Sequence, residues 1–491
     1  MALRVHNTLS KRLEEFVPGE PGLVRMYVCG LTPYDRFHLG HARTYVAFDI
    51  IRRYLEFVGY RVLHVQNITD VDDKILNRAR ERSEEPLAMA EHFSKLAMQE
   101  SDLLGIRRAH HYPKVSEHIP EIISLVERIA SKGFAYETED GVYFDVEKFP
   151  GYGKLSGQKL DEIKAGARIA VDERKRHPAD FALWKKWKPG EALAWDSPWG
   201  RGRPGWHIEC SAMSAKYLGQ SFDIHGGGSD LIFPHHENEI AQSEAASGKQ
   251  FARYWLHTGW LTVKKQKMAK SLKNFITVEG ALAKWEPEVL RLFFASTHYR
   301  SPLDFNEGSL EAARAGLATL RSALYNAAEA RPSRGRPAKW LEEAVAKHRE
   351  AFLAAMDNDF DTSTALAHLF EIAKHINTYI NEGKIDSHVL EHAVAEYKSL
   401  AGILGLLESL PRKIASEEDT ARLRVLAASL GVDSEKAERL GFTELMSLVI
   451  AEREKARKAK DFARGDEIRK ALRGLGIAIE DTPRGTVWRF A

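Results

Sequence analysis

Residues 24–65 read VRMYVCGLTPYDRFHLGHARTYVAFDIIRRYLEFVGYRVLHV. Val24 to Cys29 is an apolar run of strand length. Leu39 to Phe57 carries apolar residues at helical spacing, and Arg61 to Val65 is a second strand-like run. Strand, helix and strand in succession make a βαβ unit, which predicts a parallel sheet with a right-handed crossover. His38-Leu39-Gly40-His41 falls where the loop opens the helix. A helix N-terminus offers free N–H groups and a positive dipole to phosphate. Imidazoles there can stabilise charge developing at a phosphate under attack, and Gly40 lets a nucleotide come close to the backbone. His38 and His41 are therefore candidate catalytic residues, and Gly40 a candidate nucleotide contact.

The pattern changes twice beyond this unit. Residues 136–204 are rich in Gly and Pro with short strand-like runs, which predicts an insertion interrupting the sheet. From Phe222 to Thr262 strand, loop and helix return, with Leu231–Phe233 and Trp255–Thr258 as the clearest buried pieces. Helical spacing then dominates from about Val278, in segments 310–328, 340–356, 366–380 and 389–407. Residues 331–337 and 407–418 read as linkers, and a strand-like run ends the chain. The expected architecture is α/β. A Rossmann-type parallel-sheet catalytic domain (1–135 and 205–277) carries a connective insertion (136–204). A stem-contact region (278–310), a helical bundle (311–410) and a small C-terminal domain (411–491) follow.

About 230 residues after the first motif stands Lys267-Met268-Ala269-Lys270-Ser271. Lys267 and Lys270 on a loop can neutralise phosphates as pyrophosphate leaves, which makes both candidate catalytic residues. A third constellation combines the only two cysteines, Cys29 and Cys210, with the run Pro234-His235-His236-Glu237-Asn238-Glu239. Thiolate, imidazole and carboxylate are all zinc ligands. His235 and Glu239, four apart, share a helix face. His236, three from Glu239, can also face it, and spacing alone does not separate the two histidines.

The paired HxGH and KMxKS motifs resemble the signatures of class I aminoacyl-tRNA synthetases. Met26–Thr32, Gly205–Met213 and His225–Glu239 are similar to motifs of the cysteinyl-tRNA synthetase family, and the likeness runs from near the N-terminus to the last residues. The resemblance implies one zinc per subunit on Cys29, Cys210, His235 and Glu239. It places Thr32, Thr69, Trp206 and Asp230 in a cysteine pocket. It also makes Gly226, Gly228 and Asp230 part of an adenosine-binding loop, joined by Lys270 at the ATP. Arg457, Phe462, Asp466 and Asp481 are implied as anticodon contacts, by charge, stacking and base-edge hydrogen bonds. The sequence departs from the family at Ala269 and Lys273, where serine and glycine are usual, and at Phe462, where tryptophan is common. The implied partners are ATP with Mg2+, L-cysteine and tRNA(Cys), and the implied reaction is cysteine activation followed by transfer to the tRNA 3′ end.

Composition narrows the alternatives. The net charge of +2 does not by itself call for a nucleic-acid partner. Local patches are stronger: five lysines lie between Lys264 and Lys273, and Glu452–Arg473 holds nine Lys or Arg against five acids. Two cysteines fit a reducing compartment rather than a disulfide framework. No apolar run is long enough for a membrane span and no secretory signal opens the chain, so a cytoplasmic monomer without membrane contact is expected. Two other readings compete: a ligase joining cysteine to an aminosugar, as in mycothiol synthesis, and a non-catalytic, zinc-stabilised RNA-binding protein.

Overall fold

The protein is described from a computed structural model that covers residues 2–162, 175–264, 266–268, 275–331, 339–408, 417–431, 437, 440–482 and 485–490. The central sheet has four parallel strands: β1 (Leu23–Leu31), β2 (Arg61–Ile68), β3 (Phe222–Gly228) and β4 (Ala252–Thr258), in the order β4-β3-β1-β2. The expected βαβ unit is present, with helix α1 (Leu39–Phe57) between β1 and β2. A second helix, α2 (Trp206–Leu218), carries Cys210, and a third, α3 (Glu237–Ser247), carries Glu239.

Strand alternation divides the site residues between the two faces of the sheet. Tyr27 pairs with His225, and His225 with Trp255, across β1, β3 and β4. Cys29, two residues after Tyr27, shares its face, and both join the buried cluster that includes Ile208, Met213, Ile240 and Trp255. The alternate row, Val28, Gly226 and Leu256, is in register one residue on. Gly226 faces α1, where an added Cβ would overlap the ring of buried Phe48.

The insertion folds as a four-stranded antiparallel sheet of Ala135–Glu137, Gly141–Phe144, Phe181–Lys186 and Gly202–Pro204. Leu231–Phe233 is not a buried strand. It forms tight helical turns, Ser229–Leu231 and Ile232–His236, and its three side chains are half-buried. Pro234 has no N–H to give a ladder, and Phe233 is itself extended between helical neighbours.

The chain divides into two compact units. The first, Met1–Leu317 with Val345–Ile372 and Glu396–Leu406, holds the sheet and the site described below. The second is Ala318–Ala344, Ala373–Ala395 and Leu407–Ala491. In it, helices Glu417–Ser429, Phe442–Lys458 and Phe462–Gly474 and the hairpin Ile477–Thr482/Gly485–Phe490 enclose a core of Leu423, Leu445, Met446, Val449, Ile468 and Leu472.

Candidate active site and metal centre

β1 ends in the loop that leads to α1, and the first signature motif sits at that junction. His38 is the N-cap: its Nδ1 accepts from the N–H groups of Gly40 at 3.1 Å and His41 at 3.3 Å. The two imidazoles stack with ring centres 3.7 Å apart. Burial, with the nearby charges of His38 and Lys74, holds His41 well below the usual histidine range, so it is a neutral imidazole. Its Nδ1 is buried without a protein partner. An added Cβ on Gly40 would press on the His38 ring and the Met268 methyl group.

His38, Gly40 and His41 line a cavity of about 320 Å³ together with Thr32, Thr69, Trp206, Gly228 and Asp230. Of the residues the sequence assigns to nucleotide and cysteine, Gly226 alone among those described stands apart, packed against Phe48 in the sheet. Lys267 lies in the short strand Gln266–Lys267, paired with Leu261–Val263. The Lys267 side chain and residues Ala269, Lys270 and Lys273 lie outside the described residues. Sequence reading missed Asn67, Tyr45 and Lys74, which also line the cavity. Asn67 accepts from Gly30 N–H at 2.8 Å and donates to Thr69 Oγ1 at 3.0 Å, tying Thr69 to the end of β1. No spacing rule links residues on neighbouring strands, so nothing in the sequence marked it.

At the inner end of this cavity the metal-ligand candidates converge. Cys29, Cys210, His235 and Glu239 are buried, and their donor atoms lie within 4.8 Å of one another. His235 Nε2 is 2.9 Å from Glu239 Oε1, as their i, i+4 spacing on one face predicts. A second quartet of the same compactness replaces Cys210 and His235 with His225 and His236. The two sets differ in where they face. Cys29, Cys210 and His235 line the cavity. His225 and His236 are fully buried and hydrogen-bonded behind it: His225 Nε2 to Glu239 Oε2 at 2.8 Å, and His236 Nδ1 to His257 Nε2 at 2.8 Å. His257 Nδ1 in turn lies 2.8 Å from Thr8 Oγ1.

The electrostatics of the quartet are those of a cation site. Burial alone would raise Glu239, yet His225 and His235 hold it down at about 2. Burial alone would lower His235, yet Glu239 and then Cys210 hold it up at about 10. The hydrogen bond from Cys29 brings the Cys210 thiol down to about 6, while burial pushes Cys29 well above the usual thiol range. In the absence of a metal the protonated His235 is the positive charge that balances the carboxylate and the lowered thiol, a place that a bound cation can take. Soft sulfur with nitrogen and oxygen is a donor set that can hold a metal ion. Trp206 stacks on His235 at 4.4 Å, and His207 Nδ1 lies 3.0 Å from His235 Nδ1.

Residues 15–315 match the tRNA synthetases class I (C) catalytic domain, 351–408 the DALR domain, and 441–489 the cysteinyl-tRNA ligase anticodon binding domain. The cysteine–tRNA ligase of Thermococcus gammatolerans is 49% identical over 496 residues, covering 100% of this chain and 99% of that protein. That of Heliobacterium modesticaldum is 50% identical over 504 residues, covering both chains completely. The chain belongs to the cysteine–tRNA ligase family. Its fold is also that of a more distant class I enzyme, a Mycobacterium tuberculosis methionyl-tRNA synthetase solved with methionyl-adenylate. The two share 16% identity and a TM-score of 0.56, over 78% of this chain and 88% of that one.

The four residues that the sequence assigns to the anticodon all fall within the segment matching this family's anticodon binding domain. Phe462 is 59% exposed, which removes the alternative that it is a core residue. Asp466 is exposed. Asp481 is already engaged: Arg453 grips both its oxygens at 2.7 and 2.8 Å, and Arg457 reaches one of them at 2.7 Å. Those guanidiniums hold its carboxyl well below the usual range. Among the described residues, no helix is long and apolar enough to cross a membrane.

Proposed function

We propose that this protein activates L-cysteine with ATP and transfers it to tRNA(Cys), selecting the amino acid through a zinc ion on Cys29, Cys210, His235 and Glu239. The observation that carries the reading is that three of these donors line the same cavity as His38 and His41. Zinc(II), when bound, supplies a site that engages a thiolate far better than a serine hydroxyl.

The chain's own residues account for the rest. The cysteine carboxylate attacks the α-phosphorus of ATP, forming cysteinyl-adenylate and expelling pyrophosphate. The terminal ribose of tRNA then attacks the acyl carbon and expels AMP. Both steps depend on positioning and on stabilising charge. His38 orders the start of α1, and neutral His41 keeps an unpaired ring nitrogen for a phosphate oxygen. Lys267 and Lys270 take the departing pyrophosphate, with Mg2+ accompanying ATP. Thr32, Thr69, Trp206 and Asp230 surround the amino acid, and Gly228 and Asp230 approach the adenosine. Arg457, Phe462 and Asp466 face the anticodon, with Asp481 anchoring Arg457 beside them. A site built around one polar group can reject its analogue by about 10⁴–10⁵-fold, so no editing step is needed.

The test is twofold: pyrophosphate exchange that depends on cysteine, and charging of tRNA(Cys). A cysteine–aminosugar ligase would give the first without the second. A non-catalytic RNA-binding protein would give neither.

A further inference from the structure

Asn67 stands at an irregularity in the central sheet. β1 and β2 pair as Val28 with Gln66 and then as Leu31 with Ile68, so β1 gains a residue on β2 between these pairs. A bulge of this kind interrupts the ladder and leaves a backbone group to be paired by other means. Here the group is the Gly30 N–H, which donates to Asn67 Oδ1 at 2.8 Å. Gly30 directly follows Cys29, one of the buried donors at the inner end of the catalytic cavity.

That bond decides the direction of the next one. A backbone N–H can only donate, so the amide oxygen of Asn67 faces Gly30 and its nitrogen faces Thr69. Nδ2 donates to Thr69 Oγ1 at 3.0 Å. The hydroxyl therefore accepts from Asn67 and keeps its proton and a second lone pair for another partner. Both side chains are buried and both line the cavity. The Thr69 backbone is held separately, since its N–H donates to the Leu31 carbonyl at 3.0 Å. What remains for the Asn67 amide to set is the rotation of the Thr69 side chain and the way its hydroxyl points.

We infer that Asn67 is a positioning residue for the amino acid: it holds the Thr69 hydroxyl towards the polar end of cysteine. An amino acid with its sulfur among Cys29, Cys210, His235 and Glu239 has its α-carbon only two bonds away. Its ammonium and carboxylate then fall close to the residues beside Cys29, and Asn67 ties Thr69 to the first of these. ATP is met instead by His38, Gly40 and His41. The inference rests on the ligase reading and on the place of Thr69 in its pocket.

The experiment uses the full-length chain with Asn67→Asp, Asn67→Ala, Thr69→Val and the double variant Asn67→Asp/Thr69→Val. Asn67→Asp keeps an oxygen for the Gly30 N–H and removes only the donor to Thr69. Cysteine-dependent pyrophosphate exchange is followed against cysteine and against ATP, with zinc content and thermal melts alongside. In Asn67→Asp and Asn67→Ala the Michaelis constant for cysteine should rise about tenfold, the scale of one buried hydrogen bond left unmade. The constant for ATP should stay within about twofold and zinc content should not change, a split that a general loss of structure would not give. Once Thr69→Val has raised the cysteine constant, adding Asn67→Asp should raise it less than about twofold further, because the two act as one unit. An unchanged cysteine constant in Asn67→Asp would overturn the inference, as would equal rises for cysteine and ATP. Multiplied losses in the double variant would do the same, by showing that Asn67 does not act through Thr69. An absence of cysteine-dependent exchange in the parent protein would instead sink the ligase reading itself. Exchange in the parent with an unchanged cysteine constant in Thr69→Val would remove this inference and leave that reading standing.

Discussion

His225 Nε2 lies 2.8 Å from Glu239 Oε2, and this leaves the other carboxylate oxygen, Oε1, turned towards His235 and Cys29. The histidine fixes which face of the carboxylate turns to the proposed metal site. It is itself fixed by stacking on Trp255 at 4.4 Å. Such outer partners commonly account for 10–100-fold in metal affinity. His225→Ala is therefore expected to weaken zinc binding by about 10–100-fold while Cys29, Cys210 and His235 stay in place. Competition with a chromogenic zinc chelator measures it. Unchanged affinity would show that Glu239 needs no orienting partner.

Gly226 is predicted to be a packing residue. An added Cβ would overlap the ring of Phe48, which is 1% exposed on α1. Gly226→Ala should destabilise the protein by about 1–3 kcal/mol, the usual cost of overpacking a core. The Michaelis constant for ATP should move little in protein that remains folded. Thermal melts with and without ATP separate the two effects; an intact melting temperature with a raised ATP constant would return Gly226 to the nucleotide.

Glu100 carries a pH signature. Burial raises its carboxyl to about 7; Arg36 opposes the shift and Glu279 adds to it. A carboxyl raised on folding stays protonated in the folded state while the unfolded chain has already lost its proton. Stability then falls as pH rises from the ordinary carboxylate range to about 7, and levels off above that. Glu100→Gln should flatten this slope and be more stable than the parent at pH 8. Denaturant midpoints across pH 4–8 check it, and parallel slopes for the two proteins would contradict it.

Deletion of residues after Glu418 removes Arg457, Phe462, Asp466 and Asp481. Cysteine-dependent exchange should remain near normal, because every described residue of the catalytic cavity precedes residue 269. Aminoacylation efficiency should fall at least tenfold, about 1.4 kcal/mol. Full charging by a folded truncation would remove the anticodon assignment.

Local pattern made the sheet and the site legible to different degrees. β1, α1 and the start of β2 follow directly from apolar spacing, because each buries one regular face. Cys29, Cys210, His235 and Glu239 were nominated by residue type and resemblance, but the choice between His235 and His236 was not open to spacing. In the structure His235 lines the cavity while His236 lies in the same turn, Ile232–His236, but does not line it. Leu231–Phe233 misled because a short apolar run looks the same in a strand and in a tight turn. Asp481 looked free for a base edge. Its tie to Arg453 crosses 28 residues from a hairpin to a helix, and no periodicity announces such a pair.

The central claim is that cysteine activation depends on the metal held by Cys29, Cys210, His235 and Glu239. It is met most directly by measuring cysteine-dependent pyrophosphate exchange on the full chain before and after metal removal, then after zinc is restored, with Cys210→Ser alongside. The account predicts one zinc per chain in the intact protein, loss of exchange on stripping, and recovery with zinc in the parent but not in Cys210→Ser. Full cysteine-dependent exchange in metal-free protein would contradict it.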